Sequence, residues 1–200
     1  MTALNIFVLD HAALIVTDSR TVPAGNAPPF DHAKCFTIPH LRLAVATRGK
    51  ASLLPSLVRI ISRFAGDFEA ARALMQDDIR AFSAVPYDDV SERDAWADDW
   101  DIIVAGWMSA ENRPAAFMIC NHEKHGLSAW TIHDIEYMLS TPYIPYAVKA
   151  ASFDPVGQAV ALVQAQHDCH PREIGGYVTG TFIDGEGISQ IVMGKVVEHL

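Results

Sequence analysis

The sequence predicts an α+β protein built of mostly antiparallel sheets, stacked face to face with helices outside them. Three observations lead there. The apolar runs are short and joined by turn residues, as hairpin strands are. Helical periodicity is confined to segments lying between blocks of such hairpins. Half of the 200 residues are apolar and only 20% are charged, which suits a packed core and excludes a disordered or coiled-coil chain. No hinge-like linker divides the chain, so residues 1–200 read as one domain.

Leu4 to Val8 and Ala12 to Thr17 form the first expected hairpin, turning at Asp10-His11. Residues 21–33 hold Pro23, Gly25, Asn26, Pro28 and Pro29 and read as a loop. Cys35 to Ile38 and Leu41 to Thr47 form a second hairpin around Pro39-His40. After Gly49, the apolar residues Leu53, Leu54, Leu57, Val58, Ile61 and Phe64 fall at helical spacing. A second helix runs from Gly66-Asp67 to about Phe82. Residues 86–101 are acidic and read as turn. Asp101 to Trp107 and Pro114 to Cys120 make a further hairpin, and Ser128 to Ile132 a short strand. Asp154-Pro155 is expected to cap a helix reaching His167, Pro being suited to a first helical turn. Gly175–Asp184 and Ile188–Val197 close the chain as a last hairpin.

The net charge is −9, from 24 acids against 15 bases, the wrong sign for a general nucleic-acid binder. No apolar run reaches the roughly 18 residues that span a bilayer, so no membrane partner is expected. The abrupt apolar start, Met1-Thr2-Ala3-Leu4-Asn5-Ile6, suggests neither signal peptide nor pro-segment. Three widely spaced cysteines, Cys35, Cys120 and Cys169, suggest reduced thiols and a cytoplasmic setting.

Chemistry concentrates on Thr2, Asp18, Arg20 and Lys34. If Met1 is removed, Thr2 carries both a hydroxyl and a free α-amine. A hydroxyl is a poor nucleophile without a base, and an α-amine titrating near 7.7–8.0 can take its proton. A nearby cation such as Lys34 lowers that amine's pKa further, and Asp18 can hold the lysine in place. Arg20 completes the network.

The carboxylate follows Thr2 by 16 residues, the arginine by 18 and the lysine by 32. With these offsets and the strand, turn, strand, loop, strand order around them, the sequence resembles the catalytic β-subunits of proteasomes and the bacterial HslV-type proteases. The likeness runs over residues 2–82 and is only architectural over 101–200. It implies an αββα sandwich of the N-terminal-nucleophile (Ntn) hydrolase type, and threonine-dependent hydrolysis of a peptide or small amide. Thr2 Oγ would be the nucleophile and the Thr2 amine the base. Backbone donors for the oxyanion would come from the Val45, Ala46 and Thr47 stretch before Gly49. The family's amine-positioning acid and serines have no clear match; Ser140, Asp168 and Glu173 are the candidates. The resemblance further implies a homo-oligomer, leaves room for an unfolding ATPase as partner, and calls for no cofactor and no metal. A non-catalytic assembly subunit and a small-amide acylase are the alternatives on the same fold.

Plainer readings stand beside these. Thr2 can be an ordinary terminus, Asp18–Arg20 a surface ion pair worth at most about 1 kcal/mol, and Lys34 a solvated strand end. Cys35 is either a reactive thiol or, more simply, a buried strand cysteine. His167, Asp168, Cys169 and His170 include zinc-ligand types, but neighbours at a helix end cannot all face one ion. His122-Glu123-Lys124-His125 lacks the spacing of a zinc-protease helix. The acids from Asp88 to Asp101 read as a solvated connector, without calcium-loop spacing.

Overall fold

A computed structural model describes residues 2–23, 25, 27–84, 90–124, 126–142 and 154–198. The chain is a mixed α+β fold with two five-stranded antiparallel sheets. The first sheet contains β1 (Leu4–Val8), β2 (Ala12–Asp18), β10 (Met138–Thr141), β11 (Tyr177–Asp184) and β12 (Ile188–Lys195), in the order β10-β1-β2-β11-β12. The second contains β5 (Cys35–Ile38), β6 (Leu43–Arg48), β7 (Asp101–Met108), β8 (Arg113–Cys120) and β9 (His133–Asp134), in sequence order. A two-residue ribbon, β3 (Arg20–Thr21) with β4 (Phe30–Asp31), stands apart from both. The helices are α1 (Leu53–Phe64), α2 (Phe68–Asp77), α3 (Ile79–Ser83), α4 (Val90–Ala97) and α5 (Ala159–Cys169). None of them is long and apolar enough to cross a membrane.

Strand alternation sorts side chains to opposite faces, and here the inner strands of each sheet are covered on both, while β12 at the edge of the first is largely exposed. Leu4, Ile6, Ala13 and Ile15 of the first sheet meet Ala44, Ala46, Ile103, Ala105 and Met118 of the second in one apolar cluster. The alternate residues Phe7, Leu14 and Val16 pack instead on Leu162 and Val163 of α5. On the second sheet, Leu43, Val45, Ile102, Val104 and Phe117 pack on Leu53, Leu57 and Ile61 of α1 and Phe68 and Met75 of α2. Double coverage is why these strands read as continuous apolar runs with no polar face.

Several boundaries differ from expectation. The second expected helix breaks at Asp78 into α2 and α3, although neither Gly nor Pro intervenes; the Asp67 side chain does cap it, accepting the Ala70 N–H at 2.7 Å. The expected acidic turn contains α4, which buries Ala95 and Trp96 and leaves the Asp94 side chain half-exposed. Residues 86–89 and His125 lie outside the described residues. Residues 128–132 form no strand, and pairing falls just beyond them, at β9 on β8 and β10 on β1. Asp154 organises a turn, accepting the Val156 N–H at 3.1 Å, and α5 starts only at Ala159. Between β5 and β6 the chain makes a short 3₁₀ turn, Pro39–Leu41, closed by Arg42 at φ +50°.

Gly106 in β7 lets α2 close onto the sheet. A Cβ there would overlap both the Leu43 methyl Cδ2 and the Phe68 ring. Gly106→Ala should therefore destabilise the protein by about 1–3 kcal/mol, the usual cost of overpacking, read as a lower urea midpoint. An unchanged midpoint would mean that α2 is not seated this tightly.

Candidate active site

Asp18, the last residue of β2, is 1% exposed. Its Oδ1 accepts the Ala3 backbone N–H at 2.9 Å and the Lys34 ammonium at 2.8 Å. Its Oδ2 accepts the Gly175 N–H at 3.0 Å. One carboxylate thereby joins the segment entering β1, the segment entering β5 and the turn that leads to β11. The Lys34 side chain is 8% exposed. Burial pulls its pKa below the usual 10.5, and outweighs the opposing pull of Asp18.

Neighbouring residues strengthen the junction. The Gly175 carbonyl accepts the N–H groups of Ser19 and Arg20, at 3.2 and 3.0 Å. Ser19 Oγ donates to Asp31 Oδ1 at 2.5 Å and accepts the Tyr177 N–H at 2.8 Å. Gly176 sits at φ +75°, where a Cβ would overlap Asp31 and Ser19 Oγ, so only glycine suits both the backbone and the space. Arg20 donates to the Pro171 carbonyl at 2.9 Å and pairs with Glu198.

Thr2 is 7% exposed and lies on the wall of a cavity of about 940 Å³. Arg20, Lys34, Thr47, Arg48, Gly49 and Glu173 share that wall. Of the four residues Thr2, Asp18, Arg20 and Lys34, three line this cavity, and Asp18 stands outside its lining, bonded to Lys34 and to the amide that follows Thr2. Of the three expected backbone donors, Thr47 lines the cavity. Val45 and Ala46 lie deeper, in ladders with β5 on one side and β7 on the other. Of the three candidates for positioning the amine, Glu173 is on the cavity wall. Ser140 Oγ donates to Asn5 Oδ1 at 2.6 Å, within a polar cluster completed by Gln166. Asp168 is exposed on α5 and accepts from Gln164 at 2.9 Å.

Sequence reading missed Ser19, Asp31 and the Gly175-Gly176 pair as site-building residues, though the paired glycines were a visible signal of close backbone approach. It also missed a second wall network. Arg48 lies 2.5 Å from Asp101 and donates to Thr141 Oγ1 at 2.8 Å, and His122 lies 3.1 Å from Asp101. Asp101, Cys120 and His122 offer ligand atoms within 4.8 Å of one another. The guanidinium already neutralises that carboxylate, and we assign no metal there. At 167–170 the side chains diverge: His167 Nδ1 pairs with the Ile174 carbonyl at 2.6 Å, whereas Cys169 is exposed.

No protein-family model and no curated protein matches the chain. Solved structures do. A mutant of Anbu from Hyphomicrobium sp. strain MC1, described as Gly-1, superposes with a TM-score of 0.69 at 14% identity, covering 97% of this chain and 88% of its own. Anbu from Yersinia bercovieri, described as an ancestral beta-subunit, gives 0.66 at 13% identity, covering 97% and 87%. The chain shares its fold with the Anbu proteins. This corrects the resemblance drawn from residues 2–82: the structural neighbours are Anbu proteins, not proteasome β-subunits or HslV-type proteases proper. The physical reason is that offsets from Thr2 to Asp18, Arg20 and Lys34 follow from strand and turn lengths. They report a shared fold and do not separate the lineages built on it.

Two measurements check the electrostatics. Asp18→Asn should cost about 3 kcal/mol at neutral pH, because it strands a buried lysine without its counter-charge. A lysine whose folded pKa is depressed gains stability as pH rises from that value towards 10.5, since the unfolded chain keeps its proton longer. The variant's deficit against wild type should therefore shrink in urea titrations at higher pH; a constant deficit would mean the lysine charge is not its cause. Burial pushes the Cys35 thiol up to about 12 and also raises Cys120. In native protein at pH 8 a thiol reagent should modify Cys169 and spare Cys35 and Cys120, as intact-mass analysis would show.

Proposed function

We propose that this chain is a threonine-dependent amide hydrolase in which loss of Met1 frees Thr2 as nucleophile. The observation that carries the reading is the Asp18 carboxylate. It pins the amide immediately after Thr2 and holds a buried lysine at the edge of the same cavity. A nucleophile on a chain end needs such anchoring, since termini are otherwise poorly ordered.

In the proposed reaction the Thr2 amine takes the hydroxyl proton while Oγ bonds to the substrate carbonyl carbon. The oxyanion is met by backbone N–H groups of the Thr47 stretch. The C–N bond breaks and the leaving amine departs with the proton. Water then hydrolyses the ester, releasing a carboxylic acid and restoring Thr2. Lys34, its pKa depressed by burial, sits with Arg20 among the cations that favour a neutral Thr2 amine at working pH. Glu173 is the group proposed to orient that amine. The wider proposal is a single domain of the four-layer αββα, Ntn-hydrolase type, acting as a homo-oligomer in the cytoplasm, with an unfolding ATPase as a partner to be sought.

A second reading, a non-catalytic assembly subunit, draws on the engagement of Ser140 and Asp168 with Asn5 and Gln164 instead of the cavity. An acylase on small amides differs from the first reading only in substrate size.

Intact mass of the native protein should show Met1 removed. Thr2→Ala should abolish hydrolysis of peptide amides with the urea midpoint unchanged, and Thr2→Ser should retain part of it. Lys34→Met should lower kcat at neutral pH by more than tenfold. A fully retained Met1, or a Thr2→Ala protein as active as wild type, would favour the assembly reading.

A further inference from the structure

We propose that the cavity beside Thr2 selects peptides carrying an acidic side chain next to the scissile amide. This substrate class rests on the hydrolase reading of Thr2. Among the described residues, five cationic ones, Arg20, Lys34, Arg48, Lys50 and Lys124, line the cavity, against two acids, Asp99 and Glu173. The chain as a whole carries −9, so this concave wall reverses the sign of the molecule.

The way the cations are paired makes the reversal effective. Asp18, Asp98, Asp101 and Glu198 pair with Lys34, Lys50, Arg48 and Arg20, and these four acids do not belong to the cavity lining. These four acids thus lie off the wall that their cations line, whereas Lys124 pairs with Asp99, which is on it. A cleft lined by one sign of charge concentrates counter-charged ligands and speeds their arrival.

Arg48 is the best placed to read a carboxylate. It follows Thr47 at the end of β6 and precedes Gly49, so it shares the wall segment proposed to hold the oxyanion. Its side chain is 18% exposed, and Asp101 and Thr141 fix its orientation. A guanidinium held in one plane is suited to a carboxylate, because its donors form a rigid fork. Lys50, two residues on and 43% exposed, adds a second, mobile charge at the mouth.

Binding can be measured apart from turnover by using full-length Thr2→Ala protein. Two fluorescent peptides differing only in Glu or Gln beside the scissile amide are compared by anisotropy. The glutamate peptide should bind about tenfold more tightly, and the advantage should fall several-fold at about 0.5 M salt, where screening shortens the reach of surface charge. Arg48→Met should remove most of the advantage. Lys50→Gln and Lys124→Gln change exposed side chains and leave the fold intact, and the pair together should also reduce it. Equal binding of the two peptides, or tighter binding of a matching lysine peptide, would overturn the proposal. A glutamate preference in Thr2→Ala protein alongside a wild type that hydrolyses neither peptide would uphold the cavity's selectivity and overturn the hydrolase reading instead.

Discussion

The structure around the cavity depends on one buried carboxylate. An ionised Asp side chain removed from water is costly unless its lone pairs are filled. Asp18 meets that demand with one ammonium and two backbone N–H groups. Its donors come from Ala3, Lys34 and Gly175, which are remote in sequence, so satisfying the charge requires three segments to converge. The residues that follow it continue the convergence: Ser19 and Arg20 bind the 175–177 turn through backbone bonds, and Ser19 reaches Asp31. The position of Thr2 is a consequence, because its neighbouring amide is one of the groups the carboxylate holds.

The two sheets provide the frame within which that convergence is possible. β1 and β2 are central strands of the first sheet and are packed on both faces, which keeps the end of β2 fixed. Lys34 precedes β5 at the edge of the second sheet, and Thr47 and Arg48 end the adjacent strand β6. The cavity thus opens where the ends of strands from both sheets meet, bounded by Gly49 and the start of α1. Strand ends suit such a role, since their backbone groups are not all committed to ladders.

Much of this was legible in the sequence for identifiable reasons. The hairpins of β1–β2, β7–β8 and β11–β12 combine apolar runs with turn residues, and α1 repeats its leucines and isoleucines at helical spacing. β10, β3 and β4 were not legible, because two to four residues carry no period and their partners are set by tertiary pairing. α4 was obscured by its acids, which surround the buried pair Ala95 and Trp96 in the sequence. In the site, the spacing of Thr2, Asp18, Arg20 and Lys34 could be read because strand lengths fix it. The contact of Asp18 with Gly175 spans 157 residues and has no local signature. The same distance in sequence hid the partition of Ser140, Asp168 and Glu173, of which only the last reaches the cavity wall.

Charge and burial act together at Lys34. Burial alone would favour a neutral amine, and the neighbouring Asp18 favours the ammonium; burial prevails, so the pKa falls while the ion pair remains. The other cations of the wall differ in kind. Lys50 and Lys124 are exposed and paired across solvent, where such pairs contribute little to stability. Arg48 is anchored from behind by a fully buried carboxylate. The wall therefore combines one buried cation beside Thr2 with more exposed ones further out.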